Sequence, residues 1–223
     1  MSVQSDMSAR PLLWGPKKVP VPYVAAWSAE TVSVAGALTV RPGGAGLAYR
    51  DEVPGDRDRH GVLWARMSRS PGQGRPDFRK LHSHRQRRAM LGLLCQVCGG
   101  TADRTARGWL FALPRPDPER RSPGWPEGAL STKPPLCRPC AALAVRHCPH
   151  LADPVAIRVR KPRVWGVFGG LVTPAPDGRL TSASGDGHLP YGHRAAPWFL
   201  ASQLVLELTR CTEENFGTGS VRP

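Results

Sequence analysis

The chain has 223 residues, a formal charge of +14 and 40% hydrophobic residues, and its 24 Gly and 24 Pro make up more than a fifth of it, against roughly 12% on average, so one large or two modest domains with much loop are expected. The longest apolar stretch, nine residues over 164–172, falls far short of the ~20 that cross a bilayer, and MSVQSDMSAR lacks an export signal's apolar region, so a cytoplasmic protein with no membrane segment is expected. The charge favours an anionic partner such as DNA or RNA, although 26 of the 31 basic residues are Arg, a bias that a GC-rich genome also produces.

Residues 1–18 read as a flexible tail ending in the breaker-rich WGPKK. Residues 19–80 hold short strands followed by a basic arm. VPVPYVAAW and TVSVAGALTV supply the strands, the second stopped by RPGGAG. From Asp51 to Lys80 the chain is polar, with VLW at 62–64 as its one apolar island, which predicts an exposed arm. A helix is expected from about His82 to Leu94, with Leu81, Met90, Leu91 and Leu94 packing and Arg85, Arg87 and Arg88 facing water or a ligand.

That helix runs into Cys95-x2-Cys98-Gly99-Gly100, and 38 residues later comes Cys137-x2-Cys140. Two residues between thiols is the spacing at which a tight turn or a first helical turn brings both sulfurs to one metal. Two such pairs fill a tetrahedral shell, so one closed, structural Zn2+ ion is expected, held by Cys95, Cys98, Cys137 and Cys140. In a reducing compartment such pairs are metal ligands rather than disulfides. Gly99 and Gly100 permit a cramped knuckle; Pro134-Pro135 precedes the second pair, which opens the helix-like AALAVRH. GWLFAL predicts a strand between them and 114–135 a loop. A helix continuing from Cys137 would carry Cys148 ~16 Å along its axis, too far for the same ion. Cys148 is therefore either a buried thiol or part of a second site with His150, His147, His82 or His84.

Beyond the cysteines, VAIRVR and RVWGVFGG flank Lys161-Pro162 and read as two strands joined by a turn, with Val155, Ile157 and Val159 on one face and Arg158 and Arg160 on the other. After a Gly- and Pro-rich loop, 173–192, a C-terminal helix is expected, with Pro197 in its first turn and Trp198, Ala201, Leu204, Val205 and Leu208 forming a stripe that packs on those strands. Cys211 extends that stripe into the core. The expected class is α+β and loop-rich: a zinc module over 81–152, then a β-hairpin and a packing helix over 153–223.

CQVCGG and PPLCRPCAALA, spanning about 50 residues, resemble the zinc-bearing treble-clef frame of HNH-type nucleases. That resemblance implies a knuckle, a hairpin and a ligand-bearing helix in that order. In the family, a His base, an Asn and a His metal ligand lie between the cysteine pairs. Residues 99–136 here contain neither His nor Asn, so no catalytic residue is assigned. RQRRAM, LCQVCGG, PPLCRPCA and CPHL together also resemble uncharacterised proteins of high-GC actinobacteria, a resemblance that implies no activity.

Between Arg57 and Arg88 stand ten Lys or Arg and two Asp, a net of +8 in 32 residues. The expected function is non-catalytic binding of DNA or RNA through Arg79, Lys80, Arg85, Arg87 and Arg88, since arginine pairs with phosphate and stacks on bases. The alternative is a protein-interaction adapter organised by zinc, and an HNH-like nuclease is a more distant one.

Overall fold

The computed structural model describes residues 10–32, 36–148, 154–182 and 185–214. It is a mixed α+β chain in which strands predominate. No helix among the described residues is long and apolar enough to cross a membrane.

Three small antiparallel pairs open the chain. β1 (Leu12–Trp14) pairs with β2 (Val19–Val21), β3 (Ala25–Trp27) with the distant β7 (Pro76–Leu81), and β4 (Leu38–Val40) with β5 (Leu47–Tyr49). The first hairpin occupies part of the expected tail; residues 1–9 of that tail lie outside the described residues. The expected basic arm is also ordered. Its apolar island is the reason: Val62, Leu63 and Trp64 are buried, and β6 (Leu63–Trp64) runs parallel to the C-terminal strand. Arg57 pairs with Glu52, and Arg66 with Asp51 and Asp56, which fixes the polar parts around that island.

Two long strands form the spine of the main sheet. β11 (Pro154–Pro174) is antiparallel to β14 (Phe199–Glu214) along nearly its whole length. β9 (Gly108–Pro114) and β8 (Arg104–Thr105) extend the sheet beyond β11, and β10 (Ala129–Ser131) lies on the far side of β14. β12 (Leu180–Ser182) and β13 (Gly187–Pro190) pair with the later part of β11.

The second half of the chain differs from expectation at two places. The C-terminal helix is a strand: Leu204, Leu206 and Leu208 are alternate residues buried in one core, and Val205 between them is buried as well, which gave the run its helical spacing. Pro197 sits in a short 3-10 turn, Ala196–Trp198, that leads into β14. The turn expected at Lys161-Pro162 is continuous strand. β9 pairs with β11 as far as Val159 and β13 resumes at Gly166, so Pro162 falls in a gap where that edge needs no ladder N–H.

The sheet separates two cores. Phe111, Val155, Ile157 and Val159 face one side and pack with Met90 of α1 (Ser83–Gly92) and with Leu204, Leu206 and Leu208. Leu110, Ala112 and Ala156 face the other and pack with Cys95, Val97, Leu136, Cys140 and Ala141. The cysteine module thus lies across the sheet from α1. Gln86 fastens α1 to β14: its side chain accepts from Leu204 N–H (2.8 Å) and donates to the carbonyls of Leu204 (2.9 Å) and Thr132 (2.8 Å). It fills the stretch of β14 between the β6 and β10 pairings.

Candidate metal centre

α1 ends at Gly92. Leu93 takes a left-handed conformation, and Leu94 N–H returns to the Ala89 carbonyl at 2.9 Å. This reversal delivers the chain to a tight knuckle closed by the Leu94–Thr101 bridge, by Cys95 N–H to the Gly100 carbonyl (2.7 Å) and by Gly99 N–H to the Cys95 carbonyl (2.8 Å). Gly99 has φ +74°, and a Cβ there would meet the Tyr23 ring at 2.9 Å, so both backbone and space require glycine.

The second pair rests on the first. Pro135 and Leu136 are bound on both sides: Gln96 N–H donates to the Pro135 carbonyl, Asp103 N–H to the Leu136 carbonyl, and Leu136 N–H to the Leu110 carbonyl. Cys137 is the N-cap of α2 (Arg138–His147), with Pro139 in the first turn, and Cys140 follows in the same turn. The expected helix is therefore present, and its positive N-terminal end favours thiolates.

The ligand atoms of Cys95, Cys98, Cys137 and Cys140 all lie within 4.8 Å of one another, and Cys98 and Cys137 are 3.9 Å apart. Sulfurs ~2.3 Å from a tetrahedral ion stand about 3.8 Å apart, so the donor set fits a four-thiolate shell. Cys95 and Cys140 are buried; Cys98 and Cys137 are partly covered. A hydrogen bond from Cys140 and backbone N–H groups lower the Cys95 thiol to about 5. Burial raises Cys98 to about 11, and the bond to Cys95 raises Cys140. A divalent cation bound by the four sulfurs would hold them as thiolates.

An ion network braces α2 against the end of β14. Arg158, on the face opposite Val155, Ile157 and Val159 as expected, is fully buried because the cysteine module covers that face. Its guanidinium pairs with Glu214 (2.5 Å) and Asp103 (2.6 Å), and Arg138, between two of the thiols in sequence, reaches Glu214 at 2.5 Å. The hydrogen bond from Arg158, opposed by partial burial, holds the Glu214 carboxyl at about 2. Sequence reasoning missed this network because its ion pairs join residues 55 to 76 positions apart and no local pattern links them.

The cysteine group is the one cluster of three or more potential ligands found among the described residues. Cys148 ends α2 outside it, and His150 lies outside the described residues. His82 is fully buried as the N-cap of α1, with one ring nitrogen on Arg85 N–H and the other 3.0 Å from the Ser68 carbonyl. His84 is exposed on the same helix. Cys211 is half-buried at the core's edge, and burial lifts its thiol to about 12.

The five expected phosphate contacts divide. Arg85 is withdrawn from the surface: it is buried and bidentate to Glu30 at 2.6 and 2.7 Å, with further bonds to the Tyr23 and Ala25 carbonyls. Its carboxylate partner lies 55 residues earlier, outside the basic window. Arg79 and Lys80 on β7 and Arg88 on α1 are exposed, and Arg87 lies 4.5 Å over the Trp64 ring. No protein-family model, curated protein or solved structure matches the chain.

Proposed function

We propose that the four cysteines hold one structural zinc ion in a treble-clef-like module, and that the protein binds nucleic acid without cleaving it. The order of elements supports the first part: knuckle, β8–β9 hairpin, then a helix carrying the second pair in its first turn. With four protein ligands the ion has no open position for water, so its role is to stabilise a segment whose own core is small. The absence of His and Asn from residues 99–136 removes the nuclease residues of the HNH frame.

One observation carries the binding reading. The exposed side of α1 presents His84, Arg87 and Arg88, and no carboxylate pairs with either arginine among the described residues. Arg79 and Lys80 add charge on the strand leading into that helix. Fluorescence anisotropy with labelled single-stranded and duplex oligonucleotides at low salt tests this. Binding should occur and fall with salt. Replacing Arg79, Lys80 and Arg88 together with Ala should weaken it and reduce the salt slope by about 2 to 3, near 0.7 to 0.9 per lost phosphate contact. If the wild type binds neither form at 50 mM salt, the proposal is wrong. A protein-docking role is favoured instead by the exposed Leu12, Leu13 and Trp14 of the first hairpin; it predicts a stoichiometric, nuclease-insensitive protein partner lost on Leu13→Asp.

A further inference from the structure

A chain of contacts on the surface beside α1 joins residues far apart in sequence. Arg87 stacks on Trp64. The Trp64 indole N–H donates to Asp58 Oδ2 (3.0 Å), and so does the Tyr191 hydroxyl (2.7 Å). Tyr191 stacks on His60, with ring centroids 3.8 Å apart and planes 21° from parallel. Arg59 Nε reaches His60 Nε2 at 3.1 Å. Asp58 Oδ1 takes the N–H groups of His60 and Val62. Asp58 is therefore occupied as a hub that holds the rings in place.

Charge gathers around this row. Tyr191 is pushed up by burial and by its bond to Asp58, against the pull of Arg87 and Arg59, both close enough to act on it. His84 is held below the ordinary histidine value by partial burial and by repulsion from Arg69, His82, Arg87 and Arg88. No carboxylate pairs with Arg59, Arg69, Arg87 or Arg88 among the described residues, whereas Arg57, Arg66 and Arg85 are each paired. Four guanidinium groups with no carboxylate partner among the described residues thus accompany a half-buried ring capped by an exposed one.

We infer that this face binds single-stranded nucleic acid, one base stacking on the outer face of His60 while Arg59, Arg69, Arg87 and Arg88 take the phosphates. The inference rests on the nucleic-acid reading above and adds its strand type and contact site. Charge alone does not distinguish strands, but the ring pair does: an unpaired base can lie on His60 and continue the His60–Tyr191 stack, whereas bases inside a duplex have no free face to offer. Asp58, tied up by four donors, fixes the rings in advance, which lowers the ordering cost of binding.

The test is anisotropy with a labelled 12-nucleotide oligo(dT) and with a hairpin duplex of equal phosphate number, using the full chain loaded with zinc. Oligo(dT) should bind more tightly than the duplex. His60→Ala should weaken oligo(dT) about fivefold or more, as removing a base-stacking ring does, and leave the duplex unchanged. His60→Tyr, which keeps a ring, should restore binding, so loss in His60→Ala cannot be ascribed to misfolding. Replacing Arg59, Arg69 and Arg88 with Ala should lower the oligo(dT) salt slope by about 2. Lys161→Ala with Arg163→Ala should change nothing. Duplex preferred, or His60→Ala without effect, overturns this inference and leaves nucleic-acid binding standing. Failure of the wild type to bind either oligonucleotide overturns both. Equal competition by heparin with no effect of His60→Ala would show a mere polyanion surface and also refute it.

Discussion

Replacing Gln86 with Leu removes three hydrogen bonds at nearly constant volume, which separates lost polar satisfaction from cavity formation. Gln86 is fully buried, and its amide completes both the N–H and the C=O of Leu204 as well as the Thr132 carbonyl. Leaving a buried backbone group unsatisfied costs about 1 to 3 kcal/mol. The two groups of Leu204 lie in fully buried surroundings and that of Thr132 is partly covered, so the expected loss is about 2 to 5 kcal/mol. For a chain of this size that lowers Tm by about 4 to 20 °C, at about 2 to 4 °C per kcal/mol. Thermal and urea unfolding of zinc-loaded protein would measure it, with the exposed Arg88→Ala, expected within about 0.5 kcal/mol of the parent, as reference. A loss under 1 kcal/mol would mean that β14 does not depend on α1 for its pairing between β6 and β10.

Three further outcomes are expected. Glu214→Gln should destabilise at pH 7: its folded carboxyl titrates at about 2 against an ordinary 4.5, so its contribution is present above 4.5 and fades as pH falls towards 2, and the gap between parent and variant should close over that range in pH-dependent denaturation. Arg85→Met leaves Glu30 charged and buried and should cost about 3 to 5 kcal/mol, whereas Arg85→Met combined with Glu30→Leu should recover much of it; oligonucleotide affinity of the folded double variant should match the parent. Gly99→Ala strains the knuckle through its positive φ and the Tyr23 ring, and should destabilise by about 1 to 2 kcal/mol while speeding zinc release to a colorimetric chelator.

The cysteine site was legible because its information is local. Two x2 pairs, the Gly-Gly after Cys98 and the Pro-Pro before Cys137 specify a knuckle and a helix start wherever they occur. α1, the strand at GWLFAL and α2 were legible for the same reason. β14 was not: Leu204, Val205 and Leu208 fit a period of 3.6, and only the pairing with β11 and burial on both sides make the run a strand. The burial of Arg158 was not legible either, because nothing near it in sequence reveals that the cysteine module covers that side. Charge was misjudged in the same way. Arg57, Arg66 and Arg85 have carboxylate partners at Glu52, Asp51, Asp56 and Glu30, all outside the window in which the excess was counted, while the contacts that link His60 with Tyr191 span 131 residues.

Elemental analysis of the purified chain, paired with thiol titration, tests the central claim most directly. The account predicts one zinc per chain and four of the six thiols protected until a chelator is added, with unfolding on chelation. Less than a tenth of an equivalent of zinc in a folded, chelator-resistant protein with Cys95, Cys98, Cys137 and Cys140 all freely reactive would contradict it.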